Sequence, residues 1–128
     1  MGRPTVLIVD DDRVLLRALG RALRRRADEW DVSFAEGGAL AERAMCAQPF
    51  DVVVTDLRMM EPGTRVLACA RRTAPNAVRV MMTSGAIGTE SFDAHVVLEK
   101  PMSLECFEDM LVAAVVVARL IASMNAQL

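Results

Sequence analysis

Val6-Leu-Ile-Val-Asp-Asp-Asp12 sets four apolar residues directly against three carboxylates. A continuously apolar run this short suits a strand buried on both faces, as in the middle of a parallel sheet. Four comparable runs follow. Trp30, Val32 and Phe34 alternate with polar residues, which predicts a half-buried strand nearer an edge. Phe50 to Thr55 is again apolar through Val52-Val53-Val54, Val78 to Met82 predicts a fourth strand, and Val96-Val97-Leu98 a fifth. Between them lie amphipathic stretches. The first runs to about Ala27 with Leu15, Leu19, Ala22 and Leu23 on one face, and the second enters through Glu36-Gly37-Gly38 and carries Leu40, Ala44 and Met45. The third follows Glu61-Pro62-Gly63 and ends before Pro75. Ser103 is a candidate N-cap, with Glu105 in the first turn of a long last helix. Strands alternating with helices predict one doubly wound α/β domain with a five-stranded parallel sheet and about five helices.

The bulk properties narrow the function. The 128 residues fit one domain over 1–128, with enough mass for a real core. A 53% hydrophobic composition and a formal charge of −2 do not favour nucleic acid or an anionic membrane as partner. No apolar run reaches membrane-spanning length, and Met1-Gly2-Arg3-Pro4 has no signal-peptide pattern, so a cytoplasmic location is expected. Cys46, Cys69 and Cys106 are an odd number at spacings unlike a metal site and read as small hydrophobes in a reducing compartment.

In a doubly wound sheet, ligands bind beyond the carboxyl ends of the strands. Asp10, Asp11 and Asp12 follow the first strand, Asp56 the third, Thr83 the fourth and Lys100 the fifth. Lys100 is the one lysine among fourteen arginines. Its compact ammonium reaches a single oxygen where a guanidinium presents a broad fork. Carboxylates crowded at one edge repel unless a cation joins them, and hard oxygen ligands suit Mg2+. A carboxylate can attack phosphorus, while metal, hydroxyl and ammonium share the charge of the transferring group. Each residue alone has a plainer reading. Asp12 suits a helix N-terminus, Thr83 a strand end, Asp56 a loop, and Lys100-Pro101 a turn, with or without a cis bond.

Taken together, Val6-Leu-Ile-Val-Asp-Asp-Asp12, Asp51-Val-Val-Val-Thr-Asp-Leu-Arg-Met59, Val78-Arg-Val-Met-Met-Thr-Ser-Gly85 and Leu98-Glu-Lys-Pro101 resemble the receiver (CheY-like) domain of bacterial two-component response regulators. The likeness covers residues 4 to 120. Asp28-Glu-Trp-Asp-Val-Ser-Phe-Ala-Glu36 and Gln48-Pro-Phe-Asp51 look, more loosely, like receivers that precede HD-type output domains. The resemblance implies a flavodoxin-like strand order 2-1-3-4-5 and a phosphoacceptor switch served by a histidine kinase or phosphotransfer protein. It implies Asp56 as phosphoacceptor and Asp10, Asp11, Asp56 and the backbone carbonyl of Arg58 as Mg2+ ligands. Thr83 would bind and report the phosphoryl group, and Lys100 would pair with it. Pro75 stands eight residues before Thr83, the usual family spacing, which selects Thr83 over Ser84.

The sequence departs from the family in four places. Met60 stands where proline is usual, and the turn that follows is one residue short. Thr83 and Lys100 are 17 residues apart, closer than usual, so the fourth of five helices is expected to be a stub. The position three before the lysine is Val97 rather than an aromatic. The last helix, with Val112, Val115, Val116, Val117, Leu120 and Ile121, is apolar nearly all round. It is expected to bury its outer face on another copy, on a partner, or under residues 123–128. Arg13, Arg17, Arg21 and Arg25 form an i, i+4 row that reads either as a solvated face or as a docking stripe for an acidic phosphotransfer partner. His95 has no ligand-spaced companion and reads as structural. Two other functions fit parts of the pattern. One is a pseudo-receiver that docks or dimerises without phosphate. The other is a haloacid-dehalogenase-like phosphatase with Asp10 as nucleophile, since Asp10-Asp11-Asp12-Arg13-Val14 fits D-x-D-x-[TV]; that family needs a further acidic strand end after the lysine. No DNA-binding segment is evident, so the chain is expected to act alone or to precede an output domain.

Overall fold

A computed structural model describes residues 2–85 and 93–126. Five strands, β1 (Thr5–Asp10), β2 (Asp31–Glu36), β3 (Val52–Asp56), β4 (Val78–Thr83) and β5 (Val96–Glu99), form one sheet in the order β2-β1-β3-β4-β5. Every pairing is parallel. Among the described residues there are four α-helices: α1 (Arg13–Leu23), α2 (Gly38–Ala47), α3 (Gly63–Thr73) and α4 (Leu104–Ala126). The stub expected between β4 and β5 lies outside the described residues.

The period-2 geometry of strands divides the apolar runs between two cores. Val6 and Ile8, Val52 and Val54, and Val78, Val80 and Met82 face α1 and α4, where they meet Leu16, Leu19, Leu23, Phe107, Leu111 and Val115. Their neighbours Leu7, Val9, Val53 and Met81 face α2 and α3, against Ala41, Met45, Val66, Leu67 and Cys69. Burial on both sides is why β1 and β3 read as unbroken apolar runs and why β4 is apolar at Val78 and from Val80 to Met82.

Two details of α1 differ from the sequence reading. The helix ends at Leu23 and continues as a 3-10 turn over Arg24–Arg26. Its core stripe is Leu16, Leu19 and Leu23, with Leu15 and Ala22 only partly buried on its flank. In β2, Trp30 is buried just before the strand and Phe34 is partly exposed, its ring lying over Gly20. The Ser103 cap is made, Cys106 N–H donating to Ser103 Oγ at 3.0 Å, and Asp12 at the N-terminus of α1 also caps its helix, accepting from Leu15 N–H at 3.1 Å. The His95 reading as structural fits its contact, Nδ1 accepting from the Arg79 backbone N–H at 3.0 Å. No helix of the described residues is long and apolar enough to cross a membrane.

Candidate functional site

The strand order reverses direction at β1, whose neighbours are β2 and β3, and this is where a crevice opens at the carboxyl edge. The register pairs Val9 with Thr55, so one step further the two strands present Asp10 and Asp56 side by side. Asp10 is 1% exposed and Asp56 7%. One carboxylate oxygen from each of Asp10, Asp11 and Asp56 falls within 4.8 Å of the others. Asp11 lies at the exposed rim. Lys100 enters from the end of β5, held by its backbone N–H to the Thr83 carbonyl at 2.7 Å. Its Nζ lies 2.8 Å from Asp10 Oδ2 and 3.4 Å from Asp56 Oδ1. The peptide bond to Pro101 is cis.

Three carboxylates and one ammonium leave the cluster short of positive charge. Burial raises the Asp56 pKa above the usual carboxylate range; Lys100 opposes the shift, while Asp10 and Asp11 add to it. Burial lowers the Lys100 pKa, but the hydrogen bond it donates to Asp10 and the charges of Asp10 and Asp56 outweigh it and hold the ammonium above its usual value. The other Asp10 oxygen accepts the backbone N–H of Asp12 at 2.9 Å, which fixes that carboxylate. Thr83 ends β4 fully buried, and its hydroxyl has no hydrogen-bond partner among the described residues. A buried hydroxyl without a partner is unfavourable in a resting protein and is suited to an arriving oxygen. Ser84, the alternative, is exposed. Hard oxygen donors, net negative charge and an unpartnered hydroxyl together fit a small divalent cation with a phosphoryl group.

The loop after Asp56 is braced by a close approach. Gly63 N–H donates to the Leu57 carbonyl at 2.9 Å, and a Cβ on Gly63 would lie 2.2 Å from the Asp56 carbonyl oxygen. That same oxygen accepts the Thr55 hydroxyl at 3.0 Å. Met60, at the usual proline position, is 93% exposed. Beside the site an apolar cleft of about 240 Å3 opens between α1 and α4, lined by Leu15, Leu19, Met82, Lys100 and Phe107.

The sequence matches the response regulator receiver domain family over residues 6–112. The chain belongs to that family. Receiver domains are the signalling modules of two-component systems rather than a family of catalytic enzymes. This receiver is 38% identical over 88 residues to the photosynthetic apparatus regulatory protein RegA of Rhodovulum sulfidophilum, covering 67% of this chain and 47% of that protein. It is 35% identical over 80 residues to the transcriptional regulatory protein GlrR of Escherichia coli, covering 62% of this chain and 18% of that one. It thus spans under half the length of these curated relatives. Among solved structures, one described as adenylate cyclase from Rhodopirellula baltica superposes with a TM-score of 0.83 at 25% identity, over 98% of this chain and 97% of that one. The signal receiver domain of an HD domain-containing protein from Pseudomonas fluorescens shares the fold, with a TM-score of 0.81 at 20% identity, over 92% and 98%.

All the residues selected from sequence lie at the carboxyl edge of this receiver. Asp10, Asp56 and Lys100 are in contact or nearly so, Asp11 is at the rim, and Arg58 is exposed in the loop two residues after Asp56. The row on α1 divides. Arg13 pairs with Glu36 at 3.1 Å and Arg25 with Glu108 at 2.5 Å, while Arg17 and Arg21 are exposed. Glu108 was not singled out from sequence, although it occupies a core-facing position between Phe107 and Leu111. Burial of that carboxylate is balanced by Arg25 and by Arg26, which also stacks over the Trp30 ring at 4.9 Å. Val97, in place of the aromatic, is partly exposed on edge strand β5. Nothing acidic at a sixth strand end appears among the described residues, since α4 follows Lys100. The phosphatase pattern is therefore incomplete here.

Proposed function

We propose that Asp56 accepts a phosphoryl group from a histidine kinase or phosphotransfer protein, with Mg2+ held by Asp10, Asp11, Asp56 and the Arg58 carbonyl. The observation that carries this reading is the crowding of three carboxylates within 4.8 Å, with Lys100 bridging only two of them. An Asp56 carboxylate oxygen forms the new bond to phosphorus as the bond from phosphorus to the donor histidine nitrogen breaks. Lys100, now shared between Asp10 and Asp56, turns towards a phosphoryl oxygen, and the Thr83 hydroxyl donates to another. When bound, Mg2+ supplies the positive charge that brings donor and carboxylates together. The apolar cleft beside Lys100, lined by Leu15 and Leu19 of α1, offers a donor a place to dock next to the site, and the exposed Arg17 and Arg21 favour an acidic one.

The module is read as one receiver over 1–128 in a cytoplasmic protein, changing its binding surface on phosphorylation. Self-association through α4 belongs to the same reading. Val116 (53%), Val117 (46%) and Leu120 (58%) are exposed, while residues 123–126 prolong the helix instead of folding back over it. They adjoin a wholly apolar groove with Val96, Met110 and Ile121 in its wall. Sedimentation should show dimers that Val116→Glu disperses; a wild-type monomer would remove this part.

Incubation with acetyl phosphate and Mg2+ should add one phosphoryl mass, abolished by Asp56→Asn or chelator. Label on Asp10 would restore the phosphatase. No label under any donor, with no beryllofluoride binding, would leave a pseudo-receiver that docks without phosphate.

A further inference from the structure

Gly37 and Gly38 stand together at the start of α2 for different reasons. Gly37 has φ 94°, a conformation that side chains disfavour, whereas Gly38 has no such backbone requirement. In the first turn of a helix, alanine would be the better residue on propensity alone. What the structure gives Gly38 is a contact: a Cβ there would lie 2.7 Å from Glu61 Cβ and 3.3 Å from the Glu61 carbonyl oxygen. Glu61 Cβ is one bond from its backbone, so no change of rotamer relieves that approach.

The helix is poorly placed to give way. Gly37 N–H donates to the Asp10 carbonyl at 3.2 Å, which ties the start of α2 to the strand that carries the acidic pair. Farther along, Glu42 pairs with Arg65 of α3 at 2.8 Å. The loop is also tied at both ends, by Leu57 N–H to the Met82 carbonyl at 2.8 Å and Gly63 N–H to the Leu57 carbonyl at 2.9 Å. Displacement is therefore confined to the stretch from Arg58 to Pro62.

We propose that Gly38 is a positioning residue: its bare Cα lets α2 bear on Glu61 and holds the Arg58–Pro62 backbone where the site beside Asp56 needs it. The inference rests on the Mg2+-dependent reading given above. It adds to that reading a residue with no polar atom in its side chain, outside the acidic cluster, whose effect travels through Glu61 to the Arg58 carbonyl.

Mg2+ affinity by titration calorimetry and amide hydrogen exchange over residues 57–62 test this in the full chain. Gly38→Ala should weaken Mg2+ binding by about ten-fold, the loss typical when an outer support of a metal site is removed. Gly38→Ala with Glu61→Gly, which removes the clashing atom, should recover most of it. Unchanged affinity in Gly38→Ala, or no recovery in the double variant, would overturn the inference. Should Gly38→Ala fail to fold, Glu61→Gly alone, which opens the contact without crowding, should speed exchange over 58–61; unchanged exchange is then the refuting result. A wild type that binds no Mg2+ would instead sink the functional reading, and the exchange data would still decide whether the contact holds the loop.

Discussion

Replacing Asp56 by asparagine should make the metal-free domain more stable, even though it removes an ion pair. At an effective dielectric constant of about 20, like unit charges no more than 4.8 Å apart repel by at least ~3.5 kcal/mol, and opposite charges 3.4 Å apart attract by ~5 kcal/mol. Asp56→Asn therefore loses roughly 5 kcal/mol of attraction to Lys100 and escapes at least roughly 3.5 kcal/mol of repulsion from Asp10. Asp11 is exposed, so solvent reduces its share to about 1 kcal/mol. The Coulomb contributions nearly cancel. What remains is the desolvation of a charge that is 7% exposed, the largest influence on its pKa. A gain of about 1–2 kcal/mol is expected, or roughly 3–8 °C in Tm for a domain of this size. The sign with pH follows from the raised pKa. A carboxyl that binds its proton more tightly when folded favours the fold in acid, and that contribution is lost as pH rises through the folded-state pKa. The variant's advantage should thus be full at neutral pH and shrink as acid protonates the wild type. Urea denaturation in EDTA across this range measures it, and Mg2+ at ten times its Kd should return about 1.4 kcal/mol to the wild type and less to the variant. If Asp56→Asn is destabilising without metal, or Mg2+ stabilises both proteins equally, the electrostatic account of the site is wrong.

Lys100→Arg keeps the charge but not the shape, and the fork cannot hold both the 2.8 Å and 3.4 Å contacts. Phosphorylation by acetyl phosphate should fall by about ten-fold, near 1.4 kcal/mol, with folding retained; an unchanged rate would mean that a point cation is not needed. Gly63→Ala presses a methyl onto the Asp56 carbonyl and should lower stability by about 1–3 kcal/mol in urea, with Mg2+ binding weakened in parallel. Glu108→Gln breaks the clamp to Arg25 and Arg26 and should lower the denaturation midpoint more than Arg13→Ala, which removes an exposed pair. Equal losses would show that Glu108 is as well solvated as Glu36.

The sequence determined by itself whatever depends on local period and on the ends of strands. Unbroken apolar runs at Val6–Val9 and Val52–Val54 signalled strands covered on both faces, and a carboxylate, hydroxyl or lysine directly after each run marked the edge where a ligand belongs. The cap at Ser103 and the helix N-terminus at Asp12 were legible because they act within one turn of chain. Only the tertiary structure decided what depends on which distant segments meet. Leu16 rather than Leu15 is packed in the core with the sheet residues, while Leu15 lines the cleft beside α4, a phase that one helix cannot report. Glu108 is buried because Arg25 and Arg26 reach it from 83 and 82 residues away, and the docking row on α1 loses two of its members to such pairs. Gly38 looked like half of a turn and proves to be a contact with Glu61. Helix and strand periods are properties of the local backbone; side-chain pairing and close approach are properties of the packed whole, and a lone sequence does not contain the distances that fix them.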